Sequence, residues 1–496
     1  MFKTDLSFQQ RFSGWRTSKR LGVLVFSLIL AGCAVGPDYR LPVVQVGSHY
    51  KEAQGWKPAQ PGDQAPRPDW WRSFEDNELN GLMDEMLGAN LSIAQAEARY
   101  RQAQALVRSA GAGFFPTIGS TVSATRSGAG SGGAGASGGT TGSQYSLSGN
   151  VSWEVDLWGR VRRTVEAGQA GAQAGASDVA ATRLSMQSTL AQTYFQLRAF
   201  DTEKELFGKT VQAYERSLEM TQNRYAAGVA AQADVATART QLENARAQML
   251  ALDRQRAQLE HALAVLLGRP PSQLDVTVGA ISTVLPAVPV GLPSQLLERR
   301  PDIAAAERRT AAANARIGVA QAAWFPDLTL SVQGGYRASQ WAQWLSAPFH
   351  FWSLGPALAL TVFDGGARQG QLDEARAAYD EQVAAYRLTV LTALQEVEDY
   401  LVALRVLEQE QETQGRALAS ARESLQLTQN QYDAGLIDYL SVVQVEATAL
   451  SAERAAVSLR LSRLLASVQL MTALGGGWQV PEDWQQPRPA EAEVDE

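Results

Sequence analysis

The chain has 496 residues, 45% of them hydrophobic and 19% charged, with a formal net charge of -7. That mixture excludes a disordered or collagen-like chain, and the acidic balance, with no basic stripe interleaved with aromatics, argues against a nucleic-acid partner. The sole cysteine is Cys33, and the histidines, His49, His261 and His350, stand far apart, so neither a disulfide nor a metal site is expected.

At the amino terminus Arg16, Lys19 and Arg20 precede LGVLVFSLILA at 21–31. This run is too short to span a bilayer comfortably but suits the apolar region of a secretory signal. It ends in Leu30-Ala31-Gly32-Cys33, so we expect a signal peptide over 1–32 and a covalent lipid on Cys33 in place of any other cofactor. The plain alternative is an inert buried thiol. Residues 33–78 then form an amino-terminal segment before the first regular unit.

Two units follow, at 79–286 and 287–478, because the chain repeats itself. NLSIAQAEARYRQAQALVRSAGAGFFPTI at 90–118 aligns with RPDIAAAERRTAAANARIGVAQAAWFPDL at 300–328, and LEMTQNRYAAG at 218–228 with LQLTQNQYDAG at 425–435. In each unit the expected order is helix, strand, strand, long helix, helix. The first strands are predicted near 116–126 and 145–157. In the latter, Tyr145, Leu147, Gly149, Val151, Trp153, Val155 and Leu157 alternate with Ser146, Ser148, Asn150, Ser152, Glu154 and Asp156, the weak signature of a membrane-spanning strand. The second pair is predicted near 327–336 and 353–363, with Trp341, Trp344 and Trp352 in a connecting turn as interfacial anchors. Four strands cannot close alone and an open edge is not tolerated in hydrocarbon, so the strands imply an oligomer, with a trimer pooling twelve strands the natural closure. A soluble sheet capping a helical bundle is the competing reading.

Arg160 to Ala227 holds no proline and would extend roughly 100 Å as one helix. The returning helices carry seven-residue spacing, through Ala238, Ala245, Leu252, Leu259 and Leu266, and through Val443, Leu450, Val457, Leu464 and Met471. Sustained heptads point to coiled-coil packing. Gly228 and Gly435 fall where the chain must reverse and mark the hairpin tips. The acidic tail at 479–496 has no assigned role.

The lipobox at Cys33, Gly36-Pro37-Asp38-Tyr39, Trp70-Trp71 with Phe74, WEVDLWGR, LLERRPDIAAAE at 296–307, FDGG at 363–366 and the twin tips together resemble the TolC-like outer-membrane efflux proteins, in the lipoprotein branch serving resistance-nodulation-division pumps. The resemblance implies a mainly α fold with a β-barrel part: a trimer forming a twelve-stranded barrel in the outer membrane, continued by a coiled-coil helical barrel in the periplasm. It implies a passive conduit for drugs or other toxic small molecules, working with a periplasmic membrane-fusion adaptor and an inner-membrane pump. Ala34, where many lipoproteins held at the inner membrane have aspartate, implies sorting to the outer-membrane lipid.

At the tips, the resemblance implies a gate in which Tyr432 bonds to Asp234. On the residues alone, Asp234 as a helix cap and Tyr432 as a packing residue remain open. The chain departs from the family pattern where pore-ringing aspartates are common, having Ser441 and Gln444, with Asp438 the nearest acid after Gly435, and Ile437 replaces an arginine seen in some relatives. A channel for type I protein secretion and a pore-less coiled-coil lipoprotein are the alternatives. An enzyme is not expected, since no nucleophile elbow or phosphate-binding loop is present.

Overall fold

The computed structural model describes residues 34–52 apart from 46 and 48, 69–128, 141–286 and 299–479. Cys33, the signal segment and most of the acidic tail lie outside them. Eleven helices and strands longer than five residues follow one another among the described residues: α1 (Asn77–Ala89), α2 (Leu91–Gly111), β1 (Thr117–Gly128), β2 (Thr141–Val155), α3 (Arg160–Ala226), α4 (Gln232–Leu266), α5 (Pro301–Ala322), β3 (Asp327–Ala338), β4 (His350–Ala359), α6 (Ala367–Asp433) and α7 (Tyr439–Ala473). The long helices α3 and α6 have 67 residues each, and the returning helices α4 and α7 have 35 each. The chain divides into two compact units, one from the described parts of Met1–Pro42, Arg101–Ala174 and Glu307–Ala385, the other from those of Val43–Tyr100, Gly175–Ala306 and Tyr386–Glu496.

The first unit holds a single antiparallel sheet in the order β1-β2-β3-β4. Hairpins join β1 to β2 and β3 to β4, whereas β2 and β3 pair across a long stretch of chain, with Val151 opposite Val332 and Trp153 opposite Leu330. The register gathers the apolar residues on one face: Ile118, Val122, Leu147, Val151, Leu330, Val332, Trp352, Leu354 and Leu358. Opposite them Ser123 faces Ser146, Asn150 faces Gln333 and Gln333 faces Ser353. Alternation by twos along each strand puts the two sets on opposite faces. The apolar face is uncovered, with Trp352 75% and Leu354 71% exposed.

The expected strands are present with shifted bounds. β4 begins at His350 and ends at Ala359, rather than running from 353 to 363, because a short 3-10 turn at Ala347–Phe349 delivers the chain opposite Tyr336 and pairing ends where β3 begins, at Asp327. Trp352 is therefore a strand residue and not part of the connecting turn. Trp341 and Trp344 do lie in that turn, stacked at 5.0 Å, and Tyr145 meets Trp341 edge-on at 5.4 Å.

Below the sheet, each strand pair leads into a helix through an aspartate and a left-handed glycine. Asp156 accepts from the Val161 and Arg162 amides around Gly159, and Asp364 accepts from those of Gly366 and Arg368. The Gly36-Pro37-Asp38-Tyr39 stretch is fastened alongside. Arg163 donates to the Val35 and Gly36 carbonyl oxygens and to Asp38, Asn314 donates to the Pro37 carbonyl, and the Tyr39 hydroxyl meets Glu307 at 2.6 Å. Gly36 has φ +110°, and a Cβ there would come within 2.5 Å of the Gly318 Cα, so glycine is required on both counts.

In the second unit the Trp70–Phe74 3-10 turn inserts Trp70, Trp71 and Phe74 into a core with Leu79, Met83, Met86, Leu190, Tyr194, Phe195, Leu197, Leu263 and Leu267. Buried charges fasten the segment after α4: Arg198 pairs with Asp201, Arg256 with Asp201 and Glu260, and these groups bond the backbone at Val276, Thr277 and Gly279. Satisfied this way, the buried ions hold one backbone path. The ends of the two returning helices are held alike, the Asn90 amide donating to the Leu266 carbonyl and the Arg300 guanidinium to that of Ala473.

Candidate functional site

The turns from α3 to α4 and from α6 to α7 have the same backbone. Gly228 and Gly435 stand at φ +74° and +73°, the Gly228 amide donates to the Tyr225 carbonyl and that of Gly435 to Tyr432, and the next amides, Val229 and Leu436, reach back to Arg224 and Gln431. A Cβ at either glycine would touch nothing within 4 Å, so the left-handed conformation alone demands glycine.

The helices that return are started differently. Asp234, in the first turn of α4, accepts from the Ala231 amide at 3.0 Å. Asp438 stands just before α7 and accepts from both the Ser441 amide, at 3.0 Å, and the Ser441 hydroxyl, at 2.6 Å. Those two bonds hold the Asp438 carboxyl below its ordinary range. Gln444 is exposed one turn further, where its carbonyl accepts from Thr448. Within one chain the Asp234–Tyr432 latch is thus replaced by other contacts: Asp234 is taken up by its own helix terminus, where it satisfies a backbone donor that would otherwise go unpaired.

Tyr432 is instead held by Arg224. The guanidinium lies 4.3 Å from the ring centre and donates to the Tyr432 carbonyl at 3.1 Å. That carbonyl belongs to the last turn of α6, the negative end of the helix dipole, where a cation is favoured. Tyr432 packs 5.7 Å from Tyr439, and both join Ala238, Val442 and Val443 in a buried cluster edged by Leu218, Met220 and Ile437. The Ser217 hydroxyl meets the Tyr439 hydroxyl at 3.0 Å. Two cross-hairpin contacts, Arg224–Tyr432 and Ser217–Tyr439, therefore bind the first hairpin to the second.

Deeper along α7 sits Glu446, whose Oε2 is buried and has no hydrogen-bond partner. Burial pushes this carboxyl up to about 7. Among the described residues no cation offsets the burial, and the hydroxyls of Tyr214 and Tyr439 are its titratable neighbours.

Of the residues singled out by sequence at the tips, Gly228 and Gly435 shape the turns, Asp234, Asp438 and Ser441 start helices, Tyr432 lies in the junction with Ile437 at its edge, and Gln444 is exposed on α7. Arg224, Ser217, Tyr439 and Glu446 were not anticipated. The available signal was the change from Arg224 to Gln431, one of four differences between the two eleven-residue stretches. Chemically, this arrangement joins and separates helices; among the described residues, no group of acids, histidines or cysteines could hold a metal ion.

A family model described as outer membrane efflux protein matches residues 82–269 and 292–476. The probable efflux pump outer membrane protein TtgC of Pseudomonas putida is 33% identical over 93% of this chain and 96% of its own. The pyoverdine export outer membrane protein OpmQ of Pseudomonas aeruginosa is 32% identical over 93% of this chain and 97% of its own. Among solved structures, that of the outer-membrane channel OprN superposes with a TM-score of 0.83 at 31% identity, covering 90% of this chain and all of that one.

Proposed function

Because this chain belongs to the outer membrane efflux protein family, we propose that it is the outer-membrane channel of a tripartite efflux system. It serves as a passive conduit that carries small toxic molecules from an inner-membrane pump, through a periplasmic adaptor, to the exterior. The observation that carries this reading is the sheet. Four strands present one continuous apolar face and one polar face, with β1 and β4 as unpaired edges. In lipid an unpaired edge leaves backbone donors and acceptors unsatisfied, and the smallest outer-membrane barrels have about eight strands. Three copies, each giving four strands edge to edge, close a barrel with the apolar face toward lipid and the Ser, Thr, Asn and Gln face toward a water-filled lumen. The lipid on Cys33 adds a second attachment to the same membrane.

The 67-residue helices support passage beyond the bilayer, since each rod of roughly 100 Å far exceeds a membrane's thickness. The protein itself performs no chemistry, so energy and substrate choice come from the pump.

Deleting the gene from its host and following accumulation of a fluorescent efflux dye tests the reading. Accumulation rises on deletion and falls again when the full-length chain is restored. Restoration by a variant that folds but cannot insert in the outer membrane would contradict it.

A further inference from the structure

Charge is spread unevenly along the sheet. Where the strands meet the helices, acids have cations beside them: Glu154 pairs with Arg160, Asp156 with Arg162 and Asp364 with Arg368. Toward the turns the balance changes. Between Thr117 and Trp153 the sequence has one residue charged at neutral pH, Arg126, and between Leu328 and Phe363 one, Arg337. Neither stretch contains an acid, the connections at 129–140 and 339–349 included. The two arginines stand on opposite faces. Arg126 is opposite Ser143, in line with Ile118 and Val122 on the apolar face, whereas Arg337 is opposite Ser146, in line with Gln333 on the polar one. Phe351, opposite Gly335, lies on the polar face too, and its ring centre is 4.8 Å from the Arg337 guanidinium. Gly335 has no side chain to stand between them. The ring thus keeps the cation on the polar face, exposed and with no acid nearby to neutralise it.

In the trimeric channel proposed above, on which this inference rests, the polar face lines the lumen and the turn end, remote from the helices, opens to the exterior. We propose that Arg337, repeated in three copies, makes the exit of the lumen an electropositive ring that enriches anionic solutes and depletes cationic ones. The size of the barrel decides whether such a ring is felt. Twelve strands about 4.8 Å apart and tilted by about 40° enclose a bore of about 24 Å between backbones. A solute in it passes within about 12 Å of the wall, close to the roughly 10 Å over which a charge acts at 0.1 M salt and well inside the roughly 30 Å at 0.01 M. The surrounding Ser, Thr, Asn and Gln side chains carry no opposing charge, so the field of the three arginines is not cancelled locally. Selection at the exit is then by sign of charge, and Arg337 is the residue that sets it.

A thiol placed on the same face reads the local field directly. Ser148 is opposite Gly335, two places from Arg337 along the strand, so Ser148→Cys in the full-length protein reports from beside the ring. Purified oligomers of trimeric mass are treated with a negatively charged sulfonatoethyl and a positively charged trimethylammonioethyl methanethiosulfonate, with the parent protein, whose only cysteine is Cys33, as blank. Adding Arg337→Gln is expected to lower the ratio of anionic to cationic reaction rates by about threefold at 0.1 M salt and by more at 0.01 M. Arg337→Lys keeps the ratio near that of arginine, and Arg126→Gln, on the other face, leaves it unchanged. A thiol that reacts with both reagents at a ratio indifferent to Arg337→Gln, or equally altered by Arg126→Gln, overturns the ring while leaving the channel. A thiol that reacts with neither reagent in an intact trimer shows that the polar face does not line water, and removes the channel reading itself.

Discussion

Arg224 and Tyr432 stand 208 positions apart, yet the guanidinium of the one sits over the ring of the other, 4.3 Å from its centre, while donating to its carbonyl. One side chain thereby touches the aromatic face, the helix end and the cluster of apolar residues joining two hairpins. Replacing Arg224 with alanine removes all three, and the junction loses roughly 1–3 kcal/mol. Amide exchange of the turns around Gly228 and Gly435 should quicken together in that variant. Arg224→Lys restores only part of the effect, since an ammonium lacks the planar fork that bonds and stacks at once.

Asp234→Ala behaves differently. Its carboxylate serves the Ala231 amide within its own hairpin, so the loss is local, about 1 kcal/mol at the start of α4. Exchange should quicken around residues 229–236 and leave the second turn at Gly435 unchanged. Equal quickening of both turns would return Asp234 to the junction.

Glu446 gives the second unit a pH dependence. Its carboxyl is raised in the folded chain, to about 7, because burial disfavours the charge. The folded form therefore holds the proton more tightly than an exposed carboxyl does. Its contribution is present at acid pH and declines as pH climbs from the ordinary carboxylate range through about 7, by roughly 3 kcal/mol at most. Thermal unfolding followed from pH 5 to 8 should show this decline in the wild type, and Glu446→Gln should flatten it by keeping the side chain neutral throughout.

On the sheet, the two faces should respond in opposite ways to the same change. Leu354→Arg places a cation on the apolar face and costs roughly 2–4 kcal/mol of insertion if it falls at mid-membrane, whereas Ser331→Arg, on the polar face, is tolerated. Yields of heat-resistant oligomer in the outer-membrane fraction compare them directly. Equal yields would mean that lipid does not cover the Leu354 face.

Features set by local rules were legible in the sequence. The glycines at 228 and 435 took the positive φ expected of them, the helix from Arg160 ended at Ala226, one residue before the expected Ala227, and alternation along 145–155 assigned the sheet faces. Buried Ala238, Ala245 and Leu252 of α4, and Leu464 of α7, follow the seven-residue spacing. What was not legible is set by partners distant in sequence. The end of β4 depends on where β3 begins, and the partner of Tyr432 depends on which face of α3 turns toward α6, so neither follows from nearby residues. Glu446 reads as one more solvated carboxylate on a helix until the packing of Tyr214 and Tyr439 beside it is known.

The proposed membrane-spanning conduit is tested most directly by single-channel recording of the purified full-length protein in planar bilayers, comparing wild type with Arg224→Ala. The account expects the wild type to be mostly closed with brief openings, and Arg224→Ala to open severalfold more often, with Asp234→Ala close to wild type. Folded, inserted trimers of both wild type and Arg224→Ala that never pass current would contradict it.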